Sequence, residues 1–248
     1  MGATAAVEPG VLRPLLRSFV YEVLSLGFAY PEQGVIERLR ELLAQARDPA
    51  LRAGAPAERL DGLRRHLARV DRPDLESCHN ALFSGSVACP AHETEYESDA
   101  FAKTHQLADV AGFYRAFGLE VSGARPTMPD FIATELEFMS LLCRKEALAV
   151  SRGWAEQAAV TAQAEADFLR DHLGRWVGAL CGGIRRETAD RPGAATFYRA
   201  LAELCRLFVE SEVTTFGVNP ARLERQMTGA SDAESAACGV DPGAAGPT

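Results

Sequence analysis

Apolar residues recur at spacings of three and four along most of the chain, the pattern that lays one buried stripe along an α-helix. Leu12, Leu15, Leu16, Phe19, Val20, Val23 and Leu24 carry the first stripe. Tyr30-Pro31 ends it, because the residue before a proline is pushed out of the helical region. The spacing predicts a second helix over 32–46, with Val35, Ile36, Leu39, Leu42 and Leu43 on one side, and a third over 57–70 on Leu60, Leu63, Leu67 and Val70. Asp71-Arg72-Pro73 breaks the third helix, and a fourth over 74–83 stops at Gly85, a residue suited to a left-handed C-cap. A fifth over 103–117 ends at Gly118; Thr127 caps a sixth, which has Pro129 in its first turn and runs to Arg152. An alanine-rich seventh over 154–180 is stopped by Gly182-Gly183, and an eighth over 193–216 stacks Phe197, Leu201, Leu204, Cys205, Phe208 and Val209. No alternating β-branched run is long enough for a strand. The expected fold is therefore all-α, a single helical domain of about eight helices over residues 10–220. Flexible tails are expected at 1–9 and at 221–248, where Gly, Ala, Ser and Pro dominate.

Composition narrows the function classes. A chain of 248 residues with a net charge of -8 can bury a sizeable core, does not suit a general nucleic-acid binder, and permits a basic partner. Its apolar runs, such as Val20 to Tyr30 with Glu22 inside it, fall short of the roughly 20 residues a membrane span needs. The first ten residues, MGATAAVEPG, hold an acid and no Lys or Arg, and the six cysteines form no CxxC pair. Both features point to a cytoplasmic protein with packed, reduced thiols.

The chemistry concentrates in residues 89–142. The loop CPAHETEY (Cys89 to Tyr96) continues to Glu97 and Asp99, so four carboxylates stand close together between Tyr96 and Phe101. Such a surface attracts an Arg-bearing peptide through charge-assisted hydrogen bonds and aromatic contact, although a solvated acidic loop has the same composition. Cys89, His92, Glu93 and Glu95 are all metal-ligand types, but the helical HExxH pairing fails because position 96 is Tyr96. Glu135 follows Phe131 by four and precedes Phe138 by three and Met139 by four, which puts its carboxylate on an apolar stripe. It must be paired, for example with Arg115, or protonated, or face a cleft. Glu137 points away and is solvated. Asp130 falls in the first turn of the sixth helix, where the dipole favours it, and Asp109 begins a turn of the fifth. Phe113, Tyr114 and Phe117 form an aromatic cluster, of which Tyr114, with its hydroxyl, is the one suited to line a cleft. No GxSxG elbow, P-loop or Gly-rich dinucleotide motif is present.

The ordered segments YEVLSLGFAYPEQ (Tyr21 to Gln33), ALFSG (Ala81 to Gly85), CPAHETEY, DVAGFYRAFGLE (Asp109 to Glu120), PDFIATELEFMSLL (Pro129 to Leu142) and FLRDHLGRWV (Phe168 to Val177) resemble the TorD/DmsD-like chaperones that mature molybdenum oxidoreductases. The similarity is strongest to the branch serving type II enzymes of the DMSO reductase family. It spans Val11 to Phe216. The resemblance implies an all-helical cytoplasmic chaperone that is not an enzyme and has no cofactor of its own. Its partner would be the apo catalytic subunit, held through its twin-arginine leader until molybdenum bis-guanine-dinucleotide cofactor (bis-MGD) is inserted. A homodimer is compatible with that family.

Matched residue by residue, the family's loop falls on Pro90 and Tyr96 with Glu93 inside it, and Cys89 stands where relatives carry a first proline. The family's Pro-x-Asp-His signature keeps only Asp130, with Phe131 in place of the histidine. The client-binding set expected is Pro90, Glu93, Glu95, Tyr96, Asp109, Tyr114, Asp130, Phe131 and Glu135. Two other readings stay open: an assembly factor of the nitrate-reductase delta type that acts without a leader, and a metal-dependent helical hydrolase built on His92, Glu93 and Glu135.

Overall fold

The computed structural model describes residues 9–46, 56–84, 89–120 and 128–223. Its helices are α1 (Pro9–Phe28), α2 (Gln33–Gln45), α3 (Ala57–Leu67), α4 (Arg72–Phe83), α5 (Ala100–Ala116), α6 (Ile132–Ser151), α7 (Ala155–Phe168), α8 (Gly174–Glu187) and α9 (Ala194–Phe216). A single 3-10 turn, Glu93–Tyr96, lies between α4 and α5, and a π turn, Leu169–Leu173, joins α7 to α8 in one continuous rod. Eight rods in the expected order make the fold all-α, and no strand occurs among the described residues. The nearest thing to one is an isolated antiparallel bridge between His92 and Phe131. No helix among the described residues is long and apolar enough to cross a membrane. The expected stop at Gly85, the Thr127 cap and most of the two expected tails lie outside the described residues.

The stripes predicted by the spacing do form the core. Val20, Val23, Leu24 and Phe28 of α1 are buried with Leu39, Leu42 and Leu43 of α2, Leu60 and Leu63 of α3, and Phe197, Leu201, Leu204 and Cys205 of α9. Leu15 is an exception, 40% exposed on the outer side of α1.

Three boundaries differ from the sequence expectation. Pro73 does not merely break α3: Asp71 caps α4 by accepting from the Asp74 amide at 2.9 Å, and Pro73 sits in that helix's first turn, where a missing N–H costs nothing. The seventh rod passes through Gly182 and Gly183 to Glu187 instead of stopping there. Gly183 has a packing reason, since a Cβ there would lie 3.3 Å from Cys89 Sγ, so the bare helix surface lets the loop seat against it. Helix α6 begins at Ile132, after a turn over Met128 to Phe131, which leaves Pro129 and Asp130 outside the helix.

A buried ionic cluster joins four rods. Arg17 of α1 donates from Nε to Glu212 of α9 at 2.7 Å and from Nη1 to Glu146 of α6 at 3.1 Å, and it also donates to Glu165 of α7. Tyr21 donates to Glu212 at 3.2 Å. One guanidinium thus faces three carboxylates. Burial pushes the Glu165 carboxyl up to about 8, only partly opposed by Arg17, so this acid keeps a proton at neutral pH. Arg17→Met strands the remaining charge and should cost about 3–5 kcal/mol of unfolding free energy in denaturant titration. Glu165 favours the folded state most below its usual value of 4.5, and that contribution is lost as pH rises through about 8. Glu165→Gln should therefore flatten the stability profile across that window and be more stable than the native chain at its alkaline end. An unchanged pH profile would contradict the protonated assignment.

Candidate functional site

The loop 89–97 is fixed along its first half by backbone pairing. Cys89 N–H donates to the Leu82 carbonyl at 3.1 Å, Ile132 N–H to Ala91 at 2.9 Å, and Glu93 N–H to Asp130 at 3.0 Å. Asp130, 1% exposed, completes the attachment with its side chain. It accepts from the Thr94 amide at 3.1 Å and the Thr94 hydroxyl at 2.6 Å, and lies 3.3 Å from His92 Nδ1. Burial alone would raise this carboxyl, but the hydrogen bonds from His92 and Thr94 outweigh it and hold the group below the usual carboxylate range. Tyr96 donates back to the Pro90 carbonyl at 2.9 Å, and Tyr114 of α5 donates to the Pro129 carbonyl at 2.7 Å. Donors from Glu93, Thr94 and Ile132 therefore hold the loop and the turn before α6 as one unit.

Beneath this unit lie two fully buried carboxylates. Glu93 sits 3.1 Å from His172 Nδ1 in the π turn, and Glu135 accepts from Trp176 Nε1 at 3.2 Å. Burial, and then the neighbouring Glu93, push the Glu135 carboxyl well above its ordinary value. Around them Phe113, Tyr114, Phe138, Phe168 and His172 pack with ring centroids 4.7–6.5 Å apart.

The expected site residues separate into two groups. Pro90, Glu93, Tyr96, Tyr114, Asp130 and Glu135 are buried, and they hold the framework. Tyr114 does not line a cleft as expected; its hydroxyl is used on Pro129. Glu95 and Asp109 are exposed and Phe131 is half-buried against the His92 ring, 5.3 Å centroid to centroid. The acidic stretch is not one extended acidic face. It turns in a 3-10 helix that points Glu93 inward, Glu97 lies 3.8 Å from Arg175, and Asp99 caps α5 through the Phe101 amide at 2.9 Å. Asp130 precedes α6 and serves the loop, so the helix dipole does not explain it. Asp109 is in the middle of α5 and begins no turn. Glu135 pairs with Trp176, and Arg115 is exposed elsewhere on α5.

The sequence reading missed His79, His172 and Trp176. The last two had a signal, since an i, i+4 pair on one helical rod shares a face. Metal chemistry on His92, Glu93 and Glu135 finds no convergence, because His92 turns to Asp130 and Glu93 to His172. Among the described residues no group of three His, Cys, Asp or Glu side chains is placed to hold an ion.

Two grooves flank the unit. The first, about 430 Å³, runs between α1, α4 and α6 and is lined by Leu26, Tyr30, His79, Phe131, Leu141 and Glu137 among others. His79, 6% exposed, directs Nε2 to the Phe28 carbonyl at 3.3 Å, while its Nδ1 is buried without a hydrogen-bond partner. Burial lowers the His79 pKa, which keeps the ring neutral and Nδ1 a bare acceptor. Glu137 is exposed on the wall, as expected, and makes no ion pair among the described residues. The second groove, about 910 Å³, lies between α5, the π turn and residues 219–221.

The central loop of the all-helical bundle is thus tied down by buried carboxylates and flanked by two grooves. The chain belongs to the family described as nitrate reductase delta subunit, which matches residues 48–182. It is 26% identical to the perchlorate reductase assembly chaperone protein of Dechloromonas aromatica, over 84% of this chain and 93% of that protein. It is 28% identical to the selenate reductase assembly chaperone protein of Thauera selenatis, over 74% of this chain and 83% of that one. The resemblance to the TorD/DmsD-like chaperones is thereby established at the level of family.

His172 is the donor that meets the fully buried Glu93 carboxylate, and removing it leaves that carboxylate without a partner. His172→Leu should cost about 3–5 kcal/mol in equilibrium unfolding, and adding Glu93→Gln to it should recover part of that loss. Strictly additive losses in the double-mutant cycle would dismiss the coupling.

Proposed function

We propose that the chain is a non-catalytic cytoplasmic assembly chaperone for a molybdenum oxidoreductase catalytic subunit of the type II DMSO reductase family. It holds the apo subunit, through the twin-arginine leader, until the bis-MGD cofactor carried by the client is inserted. Support comes from the two relatives named as reductase assembly chaperones, which this chain matches over most of their length. The observation that carries the reading is the groove under Phe131. Its walls mix apolar side chains such as Leu26, Phe131 and Leu141 with polar ones, its lining includes a bare acceptor at His79 Nδ1, and its side offers the carboxylate of Glu137, which makes no ion pair among the described residues. A partly apolar peptide with an arginine supplies what both groups lack, namely N–H donors and a positive charge. Glu95 and Asp109 are the members of the expected client-binding set whose charges reach solvent, and Phe131 contributes the aromatic wall. Pro90, Glu93, Tyr96, Tyr114, Asp130 and Glu135 act on the client through the framework they fix.

A second reading, in which the client is bound without a leader, is favoured by the description of the family itself. Purification of the tagged chain from its native host under reducing conditions, with mass spectrometry of what accompanies it, separates the two. A molybdoenzyme catalytic subunit still carrying its leader supports leader binding, the same subunit without one supports the delta-type mode, and no such subunit overturns both. For the groove, Glu137→Gln should weaken a synthetic leader peptide by about 1.5–3 kcal/mol, the usual worth of a charged hydrogen bond. Unchanged affinity in this surface variant would move the site elsewhere.

A further inference from the structure

The 910 Å³ groove between α5 and the π turn shares no lining residue with the groove under Phe131. Gln106 on its wall is 7% exposed, and both its carboxamide oxygen and nitrogen are buried with no hydrogen-bond partner. Leaving both atoms of one amide unpaired is costly, and a packed interior of this size rarely keeps such a group without use. One helical turn later on the same face stands Asp109, whose side chain is 65% exposed. Its Oδ2 lies 3.3 Å from His172 Nε2, yet that nitrogen, in a ring 1% exposed, makes no hydrogen bond. With Nδ1 directed at Glu93, an Nδ1–H tautomer leaves Nε2 and Asp109 as two adjacent acceptors that lack a donor between them.

Other charges facing this groove are already matched or nearly so. Arg170 is paired with Asp167 and Asp171, and Arg175 lies 3.8 Å from Glu97. His105 and Asn219 add polar edges, and Phe101, 79% exposed, stands four residues before His105 on the same helix. The unmet needs are therefore a cation with N–H donors near Asp109 and a donor–acceptor pair near Gln106. An extended polypeptide offers the second through its backbone, and an arginine side chain offers the first.

We propose that this groove is a second peptide-binding site, which takes a basic segment by pairing its backbone amide with Gln106 and its guanidinium with Asp109 and His172 Nε2. The assembly-chaperone reading enters only in naming the client as the source of that segment. The site itself stands on its own geometry.

The test uses the full-length ¹⁵N-labelled chain and two blocked amino acids, N-acetyl-arginine N-methylamide and N-acetyl-norleucine N-methylamide, at millimolar concentrations. The arginine probe should shift the Gln106 side-chain amide and the backbone amides around Asp109 and His172. Norleucine, which has the backbone but no charge, should bind about tenfold more weakly, the effect of one charged hydrogen bond. Asp109→Asn, at an exposed position, should erase that preference. Gln106→Leu should lower the response to both probes while raising the melting temperature, because it removes two unpaired buried atoms; a structural glutamine would instead lose stability on substitution. Equal shifts from both probes, an undiminished preference in Asp109→Asn, or shifts confined to Glu137 and His79 would each overturn the second site. If the α5 resonances respond but no molybdoenzyme subunit accompanies the chain from its host, the groove stands and the chaperone reading fails.

Discussion

Glu93 has no access to water, and that single constraint organises the centre of the molecule. A carboxylate so placed needs a partner within the protein, and its partner is His172, 79 residues away in the chain. For the two to meet, the loop must turn Glu93 inward, which the 3-10 turn does, while the bare helix surface at Gly183 lets Cys89 seat close by. The π turn widens the rod at the place where His172 points inward. Trp176, one turn further on, then reaches Glu135, so the same rod supplies both donors.

This arrangement determines which acids can meet a ligand. The loop has many carboxylates, but those nearest its centre are used to hold it, and Asp130 is saturated by His92 and Thr94. What remains outward is Glu95 on the turn, Asp109 on α5 and Glu137 on α6. Rigidity and exposure are thus divided between neighbouring residues of the same short segments. Glu135 and Glu137 differ by two positions on α6, and one is fully buried against Trp176 while the other is exposed, with no ion pair among the described residues.

The helices were legible because their stripes are local. Periodicity of three and four marks Val20, Val23 and Leu24, or Leu60, Leu63 and Leu67, without reference to anything distant. Glu135 was legible in half: its place on an apolar stripe announced burial, while its partner, 41 residues later, could not be read. Pro129 reads as a helix start, but Asp130 stands before the helix, engaged by His92, Glu93 and Thr94 from 36 to 38 residues away in the chain. Gly182 and Gly183 read as a stop by propensity, yet glycine costs a helix only about 1 kcal/mol each, and Gly183 lets Cys89 seat against the rod. The Arg17 cluster left no mark at all, since its three acids lie on three other helices.

An assembly factor must hold its client and also let go, which argues for moderate contacts on a stiff frame. A charged hydrogen bond in a solvent-open groove contributes about 1.5–3 kcal/mol, which by itself gives weak, fast-exchanging binding. Two such grooves on one rigid unit change the arithmetic, because the second contact forms at high effective concentration once the first is made. Losing either contact, for instance when the client segment folds into its own interior, then returns the complex to the weak regime. In the two-groove proposal the buried pairs around Glu93 and Asp130 would matter because they fix the unit that the grooves flank. Affinity that depends on two separate contacts is easier to switch off than one deep pocket, and in this chain the deepest polar chemistry is reserved for the frame.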